Sequence, residues 1–349
     1  MTVNLHGLAT ALAPHDLPQT MVQARAEAIL GPKYPQFARL LSTFVQAGIE
    51  RRRSVAPLEW FDDAAHGWAE RNRIWHDGCA AMFTDAATGA LSDAGWAARD
   101  VDVIVTVTST GVATPTFDAV VWKTMGFRQD VMRVPVFGLG CAGGASGLSI
   151  AAQLAHGRPG CRVLLVVVEA CTPSFRTDRL EKSDIIATVL FGDGAAAACL
   201  STEGMARITL EPGVQHIWPD TLEIMGWDVD DVGLGVVFDR SIPAFARTHM
   251  ADARDAALAA LNMTKDDFDG MICHPGGAKV ITALEAALDL PDGTLDLERD
   301  VLRDHGNMSA PTVLFVLDAA RHTTRTGHFL LTALGPGFTA SFVPVRIAA

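Results

Sequence analysis

Three residues far apart in the chain have side chains suited to acyl-transfer chemistry: Cys141, His274 and Asn307. Cys141 sits in Gly138-Leu-Gly-Cys-Ala-Gly-Gly144, a run of small residues between an apolar strand expected over 134–137 and a helix expected over 146–156. Such a turn projects one side chain at a helix N-terminus and lets a ligand approach the backbone closely. The positive end of the helix dipole should favour thiolate there and lower the thiol pKa from its free value of about 8.5. His274 ends the apolar strand Gly270–Cys273 and precedes Pro275-Gly-Gly277, so its ring stands at a strand end, where α/β folds gather functional groups. Asn307 lies in His305-Gly-Asn-Met-Ser-Ala-Pro311, just ahead of an apolar helix. Taken singly, His274 reads more readily as a structural or surface histidine, and Asn307, with Ser309 nearby, as a helix N-cap. Taken together they make a chemical set: a nucleophilic thiolate, an imidazole to stabilise it and an amide N–H to hold an oxyanion.

The elements that must position these groups follow from hydrophobic periodicity. Short apolar strands are expected over 101–107, 163–168, 195–200, 270–273, 329–334 and 338–345, and helices over 74–94, 146–156, 244–261, 278–288 and 312–323. This alternation is that of an α/β protein whose sheets are covered on both faces. A weak internal repeat runs through it. Ala90-Leu-Ser-Asp-Ala-Gly95, followed by Asp100-Val-Asp102, resembles Ala260-Leu-Asn-Met263, followed by Asp267-Phe-Asp269. Asp269 lies 167 residues beyond Asp102, Gly327 lies 167 beyond Gly160, and Asn307 lies 166 beyond Cys141. A constant offset through helix, strand and loop is what an ancient duplication leaves. Two similar halves are expected about a pseudo-two-fold, 1–205 carrying the cysteine and 206–349 carrying the histidine and asparagine, with Cys141 and Asn307 on equivalent turns.

Composition bounds the chemistry. The 349 residues carry a formal charge of −12, which argues against nucleic acid or an anionic membrane surface as the main partner. No apolar run approaches the ~18 residues of a membrane span, and the N-terminus has no basic residues ahead of its weak apolar stretch, so a cytoplasmic protein is expected. The six cysteines include no C-x-x-C pair and the eleven histidines no H-E-x-x-H, so neither a disulfide framework nor a metal is indicated, and Cys161 and Cys199 read as core residues. Gly138-Leu-Gly140-Cys-Ala-Gly143 also satisfies G-x-G-x-x-G, with Glu169 closing the next strand, the layout of a dinucleotide turn. That pattern is easily met by chance in a chain with 31 glycines, and here it holds a cysteine at its centre.

At these residues the sequence resembles the type III polyketide synthases, the chalcone-synthase-like family of thiolase-fold condensing enzymes. The likeness is carried by Gly138-Leu-Gly-Cys-Ala-Gly-Gly144, Phe191-Gly-Asp-Gly-Ala-Ala-Ala197, His274-Pro-Gly-Gly277, Gly306-Asn-Met-Ser309 and Gly335-Pro-Gly337, which fall in family order from about Gly48 onward. The sister ketoacyl synthases carry an H-Q-A-N type motif where this chain has H-P-G-G. The resemblance implies an α/β fold of five layers, αβαβα, built from two similar halves, a homodimer, and coenzyme A thioesters as substrates with no further cofactor. It also implies that Cys141 takes the starter acyl group from acyl-CoA, while His274 and Asn307 bind the malonyl thioester and stabilise the enolate left by decarboxylation.

Other positions carry over from the same resemblance. Phe191 matches one of two aromatic gatekeepers, and Val236 stands in place of the second, which should widen the passage. Ser109, Thr114, Cys171, Ser174, Trp227 and Ser309 fall at cavity-lining positions, Cys171 replacing a threonine and Trp227 a glycine of the plant enzymes; Gly335 and Gly337 belong to the late substrate loop. For the coenzyme A phosphates Arg39 matches one of three basic positions, with Ser42 and Gln46 at the others, and Lys279 is a substitute from the turn after His274. Arg51–Arg53 reads as solvated surface charge. Bacterial alkylpyrone and alkylresorcinol synthases look most similar, through Cys-Ala-Gly-Gly, Gly48-Ile-Glu-Arg-Arg-Arg53 and Met225-Gly-Trp-Asp228, which favours a medium- or long-chain aliphatic starter. The competing expectations are a single-condensation β-ketoacyl synthase and a non-catalytic partner subunit of the same fold.

Overall fold

The strand Val163–Ala170 is buried along its whole length, and its β-branched run pairs in parallel with Val103–Val107 and antiparallel with Asp193–Ser201. Around it the computed structural model, which describes residues 2–34, 36–62, 66–179 and 181–349, builds one hydrogen-bonded sheet path. The order is Gly270–Cys273, Gly327–Gly335, Thr339–Ile347, Ile208–Leu210, Val3–Leu12, Asp193–Ser201, Val163–Ala170, Val103–Val107 and Met132–Val136, with Val214–Ile217 pairing on Thr339–Ile347. Helix Trp68–Ala94 covers the outer face of the first half. Helix Gly143–Gly157 packs on that half's inner face and also on Gly327–Gly335 and Thr339–Ile347; with Thr312–Arg321 it forms a buried central layer. Helices Ile242–Leu261 and Ala278–Ala287 close the far side. These are the five layers, αβαβα. The two half-sheets are not separate, however: the short strand Ile208–Leu210 pairs with both Val3–Leu5 and Val345–Ile347 and joins them.

The repeat has a physical basis in local bonding. Asp102 accepts the N–H of Arg162 at 2.8 Å, and Asp269 accepts that of His328 at 2.8 Å. Asp100 accepts the N–H of Ala97 and Asp267 that of Thr264, so the same capped turn leads into the first strand of each half. The preceding helices end alike, on Gly95 and Asn262 in the left-handed region. The parallel pairs Val103–Val163 and Gly270–Phe329 then occupy equivalent registers.

Several elements escape the periodicity. Val3–Leu12 is a sheet strand whose pattern is broken by Asn4, His6, Gly7 and Thr10. The helix Gln19–Leu30 and the charged helix Asp296–His305 were not expected either. The expectation for Arg51–Arg53 is corrected in the middle: these residues form a strand paired with His15–Pro18, and Arg52 is fully buried because carbonyls of the helix Lys182–Leu190 and its end need donors. Among the described residues no helix is long and apolar enough to cross a membrane, and no group of three or more His, Cys, Asp or Glu could hold a metal ion.

The central layer tolerates no bulk at its start. A methyl on Gly144 would stand 2.2 Å from the carbonyl oxygen of Ala310, a backbone atom. Gly144→Ala should therefore cost on the order of 3 kcal/mol and lower the thermal midpoint. Gly157→Ala, at the other end of the helix where a methyl meets nothing within 4 Å, should leave the midpoint unchanged or slightly raised. Equal midpoints for the two variants would contradict the close approach.

Candidate active site

Cys141 stands in the tight turn Gly140–Ala142 that leads into the central helix. Its Sγ is 4.0 Å from Asn307 Oδ1 and 3.7 Å from Ser309 Oγ. Asn307 is fixed on every side: its Nδ2 donates to Gly276 O at 3.1 Å, its Oδ1 accepts the Ser309 N–H at 2.8 Å, and its backbone bridges the chain at Phe191. His274 is held by its own N–H, donated to Thr332 O at 2.9 Å, while both ring nitrogens are buried and bonded to no protein group. Cys141, His274 and Asn307 line one cavity together with Met225, Phe238 and Thr332. The topology thus brings the three sequence-separated groups to one place.

The electrostatics differ from the sequence expectation. Burial pushes the Cys141 thiol up to about 11, against hydrogen bonds to Ser309 and Asn307 and with a further upward push from buried Glu169. Burial also drives the His274 imidazole down to about 3. The helix terminus does not offset the loss of hydration in an apolar cavity, so the resting pair is a neutral thiol and a neutral imidazole. Charge separation there requires a proton to pass from sulfur to the ring, or negative charge to arrive on a ligand. Glu169 cannot serve a ribose, as a dinucleotide turn would need: its carboxylate is buried among the hydroxyls of Thr108, Ser109 and Thr110 and two backbone N–H groups.

A second cavity on the other side of Cys141 is lined by Phe191, Trp227, Val236, Ser309 and Pro336. Phe191 and Val236 also line a third, walled by Leu17, Val22, Ala26, Ile29, Phe61, Cys171, Ser174 and Phe175. Phe191, Val236, Cys171, Ser174, Trp227 and Ser309 are therefore on cavity walls. Ser109 is not: its hydroxyl is taken by Glu169, and it touches the site only by accepting Trp227 Nε1–H on its carbonyl at 2.8 Å. Thr114 is exposed, at the outer part of a loop between Val103–Val107 and Phe117–Val120 whose first residues, Thr108–Gly111, are buried. Gly335 lies behind the nucleophile turn, where a methyl would be 2.4 Å from Leu139 O, and Gly337 shapes the same loop at φ +97, so neither is a lining side chain. Arg39 and Lys279 are exposed and line none of these cavities, although Gly48 beside Ala278 brings their two segments together.

Sequence reasoning also passed over Glu298. It shares a helix face with Val301 and Leu302, which was the available signal for burial, and its Oε1 accepts the Cys273 N–H at 2.9 Å next to His274. Its other oxygen is buried without a partner, and burial raises the carboxyl to about 7.

The family models for chalcone and stilbene synthases match most of the chain, the N-terminal domain over residues 61–204 and the C-terminal domain over 209–347. The chain belongs to the chalcone and stilbene synthase family. As a member it is a type III polyketide synthase, a condensing acyltransferase that works on coenzyme A thioesters. It is 38% identical, over 97% of its length and 91% of the relative's, to a 1,3,6,8-tetrahydroxynaphthalene synthase of Streptomyces peucetius subsp. caesius. It is 31% identical to a putative chalcone synthase of Bacillus subtilis (strain 168), covering 96% of each chain. The solved structure of 1,3,6,8-tetrahydroxynaphthalene synthase from Streptomyces coelicolor A3(2) superposes with a TM-score of 0.91 over 99% of both chains at 25% identity. A type III polyketide synthase domain from Dictyostelium shares the fold, with a TM-score of 0.93 at 23% identity over the full length of both. The thiolase-like architecture is thus common to all of them.

The raised carboxyl of Glu298 has a pH consequence. A carboxyl with a folded pKa above its unfolded value of about 4.3 destabilises the fold as pH rises between the two. Glu298→Gln keeps the acceptor for Cys273 and should gain on the wild type by roughly 3 kcal/mol between pH 4.5 and 8. A stability difference that does not change with pH would contradict this.

Proposed function

We propose that Cys141 is the nucleophile, that His274 and Asn307 are its catalytic partners, and that the enzyme extends a medium- or long-chain aliphatic starter with malonyl units to alkylpyrone or alkylresorcinol products. The observation that carries the starter choice is the largely apolar pocket lined by Leu17, Val22, Ala26, Ile29 and Phe61, which shares Phe191 and Val236 with the space beside Cys141. In this reading Cys141 Sγ attacks the starter thioester as its proton passes to His274, and the coenzyme A thiolate leaves with that proton. Malonyl-CoA then loses CO₂, and the electron pair of the broken bond becomes an enolate. Its oxygen accepts hydrogen bonds from the His274 ring and from the Asn307 Nδ2 proton not donated to Gly276. Donors fixed in a dry cavity stabilise such charge far better than exposed ones. The enolate carbon attacks the Cys141 thioester, sulfur leaves, and the lengthened chain returns for the next round.

The same reading divides the halves at 205/206 and gives the coenzyme A phosphates to Arg39 and Lys279. It also includes a homodimer. Met132–Val136 is an edge strand with Met132 and the following Phe137 exposed, and Arg133 ties it to Thr116 and Asp118 beside the exposed Thr114. A second copy pairing on this edge would cover these apolar side chains. Sedimentation should give a dimer for the wild type and a monomer for Met132→Arg; a monomeric wild type would refute the interface.

A second reading is favoured by the relative named 1,3,6,8-tetrahydroxynaphthalene synthase at 38% identity: a hydroxylated naphthalene with no alkyl tail. Mass analysis of products from malonyl-CoA, alone and paired with acyl-CoA starters from short to long, separates the two. We expect incorporation of medium or long chains into cyclic products. Conversion of malonyl-CoA alone to a naphthalene would favour the second reading, a single linear condensation product would indicate a β-ketoacyl synthase, and exclusive use of aromatic starters would contradict the starter assignment.

A further inference from the structure

We propose that Arg52 is a positioning residue that sets the starter gate and the Asn307 amide as one unit. The proposal rests on the reading of Phe191 as gate and Asn307 as enolate donor. The guanidinium of Arg52 is buried beneath the segment that carries Phe191. Its two terminal nitrogens donate to the carbonyls of Thr188 at 2.7 Å, Val189 at 2.6 Å and Phe191 at 3.0 Å, and to Gln19 Oε1. The first two close the last turn of the helix Lys182–Leu190, whose carbonyls have no further helical partners, and the third fixes the backbone of the gate residue itself. Gln19 completes the clamp by donating to the same Val189 carbonyl at 3.1 Å.

The segment held in this way continues directly into Asn307. Leu190 O accepts the Asn307 N–H at 2.8 Å, and Asn307 O accepts the Gly192 N–H at 3.0 Å, the bridge that flanks Phe191. The stem of Arg52 is wedged at the same crossing: a methyl on Gly192 would lie 3.1 Å from its Cβ and one on Gly306 3.4 Å, so it packs against the neighbours of both functional residues. Arg52 also lines the apolar cavity beyond the gate. A planar cation with several donors in fixed directions suits such a knot, whereas lysine can satisfy only part of it. Displacing the knot should therefore disturb starter choice, through Phe191, and malonyl decarboxylation, through Asn307, although Arg52 touches neither reacting centre.

The test uses the full-length enzyme with Arg52→Met, Arg52→Lys, Phe191→Ala and the Arg52→Met/Phe191→Ala double variant, each first checked for a cooperative thermal transition. Two readouts follow: malonyl-CoA decarboxylation, and the profile of acyl-CoA starters incorporated. Arg52→Met should lose about tenfold or more in decarboxylation and broaden the starter profile. Arg52→Lys should recover part of both. In the Phe191→Ala background Arg52→Met should alter the profile no further while still slowing decarboxylation, which a purely structural role would not produce. Should Arg52→Met not fold, Gln19→Leu, which loosens the clamp without removing the arginine, is expected to shift the same two readouts in the same directions. A folded Arg52→Met or Gln19→Leu within about twofold of wild type in both readouts overturns the proposal, as does a profile change that persists undiminished without Phe191. A wild type that cannot decarboxylate malonyl-CoA overturns the functional reading itself, and this proposal with it.

Discussion

The site exists because two turns from different halves of the chain approach within van der Waals contact. The turn bearing Cys141 and the turn bearing Asn307 meet where the central helix begins, and the space left there admits no side chain: Gly144 lies against the Ala310 carbonyl and Gly335 against that of Leu139. Everything else is arranged around this contact. The central helix is small-residue and buried because it has a sheet on each side, so its first turns present backbone and Cys141 and little more. Ser146, the early polar exception, bonds Ser341 of the other half-sheet at 2.6 Å.

The cost of this placement is electrostatic. A chain of net charge −12 buries Glu169, Asp193 and Glu298 in or near the same region, and burial raises each of them. Glu169 and Asp193 are tolerated because several N–H and O–H donors surround each; Glu298 has one donor and one bare oxygen. His274 and Cys141 are treated the opposite way, with few partners and no charge: His274 has two unbonded ring nitrogens, and Cys141 is held as a thiol. Groups kept neutral and underbonded in a dry cavity respond strongly to charge that develops on a bound thioester, which is the condition for differential stabilisation of an enolate.

Much of this was legible in the sequence. The Asp-x-Asp landmarks stand out because they reflect real hydrogen bonds: in each, the first carboxylate caps a turn and the second accepts the N–H of a neighbouring segment. His274 at a strand end and Cys141 in a glycine turn were readable from residue types alone. What was not readable depends on partners distant in sequence. Arg52 looks like one of three surface arginines until the carbonyls of Thr188, Val189 and Phe191 are placed above it. The thiol pKa looks lowered by a helix terminus until the depth of burial is known. Thr114 looks like a cavity residue by family resemblance, whereas in the single subunit it is exposed at the outer part of its loop. The strand Val3–Leu12 is hidden because its neighbours, and not its own alternation, bury it.

The central claim, that the shared turn exists to present Cys141 as the acyl carrier, is tested most directly by intact-protein mass after incubation with a fatty acyl-CoA. Wild type should gain the mass of one acyl group, and Cys141→Ala should gain none while keeping its thermal midpoint. An adduct that survives in Cys141→Ala would move the nucleophile to another residue and contradict the account.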